Sequence, residues 1–279
     1  MDYLMRDDSP FSAELWSRID DTVVAAARQI LTGRRFLRIN GPLGAGAQSV
    51  FIDNFEAASD AESDLWGDRD SAAIKVNNRK HVEIPMIYKD FTLFWRDIEN
   101  SRQFGIPLDL SPAAGAAAFC AKKEEDLIFN GNEGLGYEGL LTAKGANRVA
   151  KSDWTKGANP FSDISKGIEL LIGKGFSGSF TLVVNPELYT QMQRLQPNMG
   201  VLETQRVKEL VGGKLYQTPA VGPGKAVLVS SEFRNLDLTI GQDLVTAYLG
   251  PEKLNHGLRI FETAILRIKN PAAIVVFEE

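Results

Sequence analysis

Apolar residues recur at three- to four-residue spacing from Leu15 through Ile19, Val23 and Ala27 to Ile30 and Leu31, the stripe of an amphipathic helix. This predicts a helix over 12–31, with Ser12 as N-cap, Glu14 in the positive first turn, and Gly33 in the left-handed conformation that ends it. A second helix is predicted over 107–131: Ser111 caps it, Pro112 takes the first helical position, and Asn130-Gly131 closes it. The first half of its body, AAGAAAFCAKKEEDLIF, is almost all small residues, which lets a neighbouring element pack closely. From 133 to 223 helix and strand alternate, with helices over 161–172, 186–195 and 202–211, a buried strand over 180–184, and a turn at 197–200. Period two then takes over. Leu258, Ile260, Ala264, Leu266 and Ile268 alternate with Arg259, Thr263, Arg267 and Lys269, and shorter strands are predicted over 226–230, 236–240, 244–249 and 272–277.

One stretch breaks the pattern. Between 50 and 87 two short strands, Val50-Phe51-Ile52 and Ala73-Ile74-Lys75-Val76, stand in acidic, Ser- and Asn-rich sequence with little to bury. So long a segment without a core is out of place inside one compact domain. It reads either as a surface insertion or as a piece that lies against another subunit.

Composition narrows the function. The 279 residues carry 44% hydrophobic and 24% charged side chains, the balance of an ordinary globular chain of one large domain or two joined ones. With a net charge of −5 and no basic cluster larger than Arg34, Arg35 and Arg38, nucleic acid is not an expected partner. Cys120 is the single cysteine, which excludes an internal disulfide and a thiolate zinc cage, and its Ala-rich setting reads as a small buried hydrophobe. His81 and His256 are the only histidines, and each reads as a structural residue. The segment GPLGAGAQS has Ala47 and Gln48 where a P-loop needs Lys and Ser or Thr, and Ser49 where a dinucleotide fingerprint needs its third glycine; it is a turn. The opening MDYLMRDDSP lacks the apolar run of a signal peptide, and no run of eighteen apolar residues follows, so the expected location is the cytoplasm with no membrane partner. A hydrolase would have to draw on Asp90, Asp97 and Glu99, the nearest carboxylate cluster, without a histidine close in sequence.

Several motifs then form an ordered set: Gly33-Arg34-Arg35-Phe36, Gly41-Pro42-Leu43-Gly44, Ile84-Pro85-Met86-Ile87-Tyr88-Lys89-Asp90-Phe91, Trp95-Arg96-Asp97-Ile98-Glu99, Asp126-Leu127-Ile128-Phe129, Gly136-Tyr137-Glu138-Gly139-Leu140, Ala247-Tyr248-Leu249-Gly250 and Leu266-Arg267-Ile268-Lys269. In this order, across nearly the full length, the sequence resembles the shell proteins of bacterial encapsulins. The resemblance implies an α+β fold of the tailed-phage capsid type, with a peripheral domain, an extended β-hairpin loop and an α/β axial domain. It divides the chain into 1–47 (first helix), 48–87 (extended loop), 88–130 (long helix region), 131–224 (axial domain) and 225–279 (closing strands of both domains).

The same resemblance implies a function. Encapsulins build hollow icosahedral shells of sixty copies or a multiple of sixty, and hold cargo enzymes inside by short C-terminal targeting peptides. The cargo implied is an iron-oxidising ferritin-like protein, with a dye-decolourising peroxidase as the alternative; a phage major capsid protein shares the fold. The shell itself needs no cofactor and is not an enzyme. The cargo peptide's groove maps onto Val23, Ile30, Leu31, Arg34 and Arg38, together with Leu244, Thr246 and Tyr248. A pore at the fivefold axis maps onto Gln191, Gln193, Arg194, Gln196 and Asn198, a polar and nearly neutral set. Trp95 is the position where some relatives stack a flavin, and otherwise an interface tryptophan.

Overall fold

The computed structural model describes residues 2–56, 61–67, 73–195 and 200–278. In chain order the elements are α1 (Ala13–Ile30), β1 (Ile39–Asn40), β2 (Ser49–Glu56), β3 (Lys75–Glu83), β4 (Met86–Leu93), α2 (Trp95–Phe104), α3 (Ser111–Phe129), β5 (Gly131–Asn132), β6 (Tyr137–Glu138), β7 (Asn147–Ala150), α4 (Asn159–Gly173), β8 (Phe180–Val184), α5 (Pro186–Gln191), α6 (Glu203–Leu210), β9 (Leu215–Gln217), β10 (Ala226–Ser230), β11 (Leu236–Glu252), β12 (Asn255–Ile268) and β13 (Ile274–Glu278). Among the described residues no helix is long and apolar enough to cross a membrane.

Two sheets organise the chain. The four-stranded sheet runs β1-β11-β12-β4, with β1 parallel to β11 and the rest antiparallel. Helices α1 and α3 lie together against it: Trp16, Ile19 and Val23 of α1 meet Ala113, Ala116, Ala117 and Cys120 of α3 over Ile87, Phe91, Leu258 and Ile260. The small residues of α3 are what allow that close approach. The five-stranded sheet runs β7-β13-β10-β8-β9. Its three central strands are buried along both faces, as the unbroken apolar runs FTLVV, AVLV and IVVF require. One face packs on α4, α5 and α6 through Leu182, Leu228, Phe277, Ile164, Leu188 and Val207. The other face, Val183, Val227 and Val276, meets Phe129, Leu236, Leu238 and Leu266, which joins the two sheets through one continuous core. Residues 225–279 thus feed both sheets.

The segment between the sheets and solvent is the β2–β3 hairpin. Its ladder runs from Ser49 opposite Glu83 to Glu56 opposite Lys75, with one bulge after Asn54. Among the described residues only its base is buried, where Val50, Val82 and Ile84 pack on Ile265. Beyond the base it is a two-stranded arm held by its ladder and by the Arg79–Asp53 pair at 2.7 Å.

Several expectations are corrected by the structure. Gly33 does not take the left-handed conformation; it opens a 3-10 turn, and its missing side chain matters because a Cβ there would stand 2.5 Å from Ile128 Cδ1. Ser111 is the first helical residue of α3 rather than its cap, and its N–H and hydroxyl both donate to Asp109 Oδ1, at 2.9 and 2.6 Å. Strand β3 begins at Lys75 and continues through the polar stretch to Glu83, because cross-strand pairing rather than burial holds it. Helix α5 stops at Gln191, and the strands expected over 236–240 and 244–249 are one strand, β11, with bulges. The turn expected at 197–200 lies outside the described residues except for Gly200.

Candidate functional site

Helix α1 is capped by Ser12, whose hydroxyl accepts from the Leu15 N–H at 3.2 Å, and it buries Trp16, Ile19, Val23 and Ala27. The chain leaves its C-terminal end into the turn 33–35. There Val24, Ala27, Leu31 and Arg34 meet Asp243 and Leu244 of a bulged part of β11 around a hollow of about 510 Å³. The bottom is apolar: Leu31 and Ala27 pack with Ala121 of α3, and Ile30 and Leu244 flank them. Arg28 and Arg35 stand at the rim, with Arg35 Nη2 donating to the Arg28 carbonyl at 3.3 Å.

Arg34 closes one side and is held from three directions. Its Nε donates to Glu124 Oε1 at 2.9 Å, Nη2 donates to Glu124 Oε2 and Glu262 Oε2 at 2.6 Å each, and Nη1 donates to Asp243 Oδ1 at 2.7 Å. Burial works against its charge, but the bonds and charges of Glu124 and Glu262 outweigh it and keep the guanidinium protonated well above the usual range. Beside it, Glu125 Oε1 accepts from the N–H groups of Thr32 and Gly33 at 2.8 and 2.7 Å, and Oε2 accepts from the Thr218 hydroxyl at 3.2 Å. One carboxyl therefore ties the end of α1 to the segment after β9. Burial pushes the Glu125 carboxyl up to about 7, against the lowering effect of those backbone donors.

Of the eight groove positions expected from the sequence, Leu31, Arg34 and Leu244 line the hollow and Ile30 borders it. Val23, Thr246 and Tyr248 do not reach it. Val23 is buried between α1 and the sheet, and Thr246 is buried with its hydroxyl unpartnered and its carbonyl accepting from Arg6 Nε at 2.9 Å. Tyr248 is buried with its hydroxyl 2.9 Å from His256 Nδ1, which also makes His256 a structural partner. Arg38 points elsewhere and stacks its guanidinium on Phe233 at 4.8 Å. Val24, next to Val23 on the helix, and Asp243, next to Leu244 on the strand, also line the hollow. The carboxylates Glu124, Glu125 and Glu262 escaped the sequence reading. A signal was there: Glu124 and Glu125 stand on the α3 stripe between Ala121 and Ile128, and Glu262 stands in phase with Leu258, Ile260, Ala264 and Leu266.

Residues 1–265 match the family model Linocin_M18, described as an encapsulating protein for peroxidase. The chain is 43% identical over 277 residues to the type 1 encapsulin shell protein EncA of Myxococcus xanthus, spanning 99% of this chain and 96% of the relative. The chain belongs to the encapsulin shell-protein family. Its fold is similar to that of the virus-like particle from Pyrococcus furiosus, with a TM-score of 0.77 at 22% identity over 95% of this chain and 100% of that one. It is also similar to the capsid of Myoviridae phage XM1, with a TM-score of 0.64 at 13% identity over 88% and 90% of the two chains. The two sheets and the projecting arm are thus the capsid-like architecture expected from the sequence.

The other expected encapsulin sites fall as follows. Gln191 ends α5 with its Nε2 donating to Glu187 Oε1 at 3.3 Å, and Gln193 is exposed. The Arg194 guanidinium donates to the carbonyls of Trp154 and Gly157 at 2.6 and 2.7 Å and clamps that loop. Gln196 and Asn198 lie outside the described residues. Trp95 opens α2, its N–H donating to Asn255 Oδ1 at 3.3 Å, beside a shallow basin with Phe94, Asp97, Glu99 and Phe104. The basin presents three exposed aromatic rings, Phe94, Trp95 and Phe104, and its polar side chains are not buried. Asp90 is paired with Arg259 at 2.6 Å, away from the exposed Asp97 and Glu99, so the three carboxylates do not converge. Cys120 is buried, its thiol on the Ile260 carbonyl at 3.7 Å and pushed up to about 12 by burial.

Proposed function

We propose that this chain is the repeating unit of a closed protein shell, built from many copies of itself, that holds a cargo enzyme on its inner wall through the cargo's C-terminal targeting peptide. The arm carries the reading. Its own two strands leave Phe51, Ile74 and Val76 exposed, and Leu65 and Trp66 beyond them are 91% and 84% exposed. Apolar surface of that kind on a projecting hairpin gains a core only when a neighbouring copy covers it. Repeated across identical chains, one such contact closes into a shell when the rotation closes.

The hollow at the end of α1 is the proposed dock, an apolar floor with charged walls suited to aliphatic anchors on an extended peptide. The proposed cargo is an iron-oxidising ferritin-like enzyme in a cytoplasmic compartment. The family's description favours a second reading, a peroxidase. Either way the redox chemistry belongs to the cargo and the wall supplies enclosure. A phage capsid is the alternative assembly of the same fold; the 43% identity to a type 1 encapsulin shell protein favours the nanocompartment.

Negative-stain electron microscopy of the protein expressed alone, beside a light-scattering mass, tests the shell. Uniform hollow particles of megadalton mass are expected. A stable, well-folded monomer or dimer would overturn the proposal.

A further inference from the structure

The wall of the hollow rests on charges that do not balance. Arg34 is the one cation in ion-pair contact with Glu124, Glu262 and Asp243 among the described residues. The side chains of Glu124 and Glu262 are each 1% exposed, and both take a hydrogen bond from the same nitrogen, Nη2. Glu262 Oε1 is buried with no hydrogen-bond partner at all. Two ionised carboxylates here would leave a surplus negative charge out of reach of water. A proton shared between them removes it. Glu262 accordingly holds its proton well above the ordinary carboxyl range, first through burial and then through the charge of Glu124.

The remaining groups around the triplet offer no second counter-charge. From α3 come Glu125, which answers to Thr32, Gly33 and Thr218, and the neutral thiol of Cys120. From β4, Lys89 and Asp90 face the Cys120 side, with Asp90 bound to Arg259. From β11 comes Asp243, more than half exposed, and Arg28 and Arg35 of the rim make no ion pair with either glutamate. The parts resting on Arg34 are the least regular of the site: the turn 33–35 and the bulge between Gln242 and Val245, where the Leu244 N–H donates to Asp243 Oδ1 at 2.8 Å.

We propose that Glu124, Arg34 and Glu262 form a proton-operated support for the hollow. With the proton in place Arg34 is fixed and the hollow keeps its shape. Its loss as the pH rises sets two carboxylates against each other, so that the pair separates, water enters, and the turn and the bulge loosen. The device is a property of the chain; its use, weaker cargo docking on the alkaline side, rests on the reading of the hollow as the dock.

Hydrogen–deuterium exchange on the assembled protein without cargo tests it, from about pH 6 to about pH 9, after correction for the intrinsic chemical rate. Protection of 31–38 and 242–246 is expected to fall roughly tenfold or more as the pH rises. In Glu262→Gln, which carries no proton to lose there, the fall should shrink to the part that Glu125 contributes below about pH 7. Glu124→Gln removes the surplus charge from the other side and should do the same, which covers the case in which one variant fails to assemble. A flat wild-type profile, or an undiminished fall in a folded variant, would overturn the proposal. Because no cargo is present, a flat profile leaves the docking reading standing, and a failure of docking leaves the profile readable.

Discussion

Arg267 stands directly opposite Asp237 across the β11–β12 ladder and grips it with two bonds, Nε to Oδ1 and Nη2 to Oδ2, each of 2.9 Å. Asp237 is fully buried and also takes a hydrogen bond from Thr239 and an ion pair with Lys269 at 2.6 Å. The same guanidinium donates through Nη1 to the Phe51 carbonyl at 3.1 Å, so one side chain fastens the arm to the sheet. Arg267→Ala is therefore expected to cost about 3 kcal/mol, since it strips a buried carboxylate of its planar partner. Denaturant unfolding measures the loss. Amide exchange in 49–54 should rise at the same time, and unchanged arm protection would mean that the arm is held elsewhere.

Glu125 makes stability depend on pH with a definite sign. Its folded value of about 7 lies above its ordinary 4.5, so its contribution is complete below about 4.5 and is lost as the pH rises to about 7. The difference is worth about 3 kcal/mol. Glu262 acts in the same direction. Unfolding midpoints between pH 5 and 8 (about that range) should fall in the wild type and flatten in part in Glu125→Gln, which keeps the acceptor for Thr32 and Gly33. Equal slopes in both would remove Glu125 from the account.

Gly139 and Gly131 approach each other where β5 and β6 pair. A Cβ on Gly139 would lie 2.4 Å from the Gly131 nitrogen and 2.6 Å from the Phe129 carbonyl carbon, both backbone atoms. Gly139→Ala should destabilise by about 3 kcal/mol, as overpacking against backbone does. A drop in melting temperature with the shell still formed is the expected result.

Val24→Asp separates the dock from the core. Val24 is 39% exposed in the hollow, while Val23 beside it is buried. Shells of Val24→Asp should assemble normally and lose roughly tenfold or more in cargo retained, a deficit of about 1.4 kcal/mol in docking. Val23→Asp, by contrast, should fail to fold. Full cargo retention in Val24→Asp would move the dock elsewhere.

Much of this fold could be read from periodicity. The stripe 15–31 and the alternation along β12 name their elements because a one-sided environment imposes a one-sided pattern. Helix α2 went unread: in WRDIENSRQF only Ile98 is buried, so no stripe forms. The groove positions came only through family resemblance; of them Leu31, Arg34 and Leu244 line the hollow beside α1, while Val23, Thr246 and Tyr248 are buried beneath it. Arg34, Glu124 and Glu262 are ninety and more positions apart, and a charge in sequence looks solvated until the fold seals it. Even so, Glu262 interrupts an apolar phase, and a charge that keeps step with buried neighbours is a readable sign.

The place of β13 in the five-stranded sheet has a consequence for synthesis. It lies between β7 and β10, yet it follows both in chain order and follows all of β11 and β12. While the ribosome is still translating those strands, β10 presents an open edge, and β7 has no partner. Until β13 is made the five-stranded sheet lacks its connecting strand, so that half of the molecule completes its core only after both strands of the other sheet's long hairpin exist.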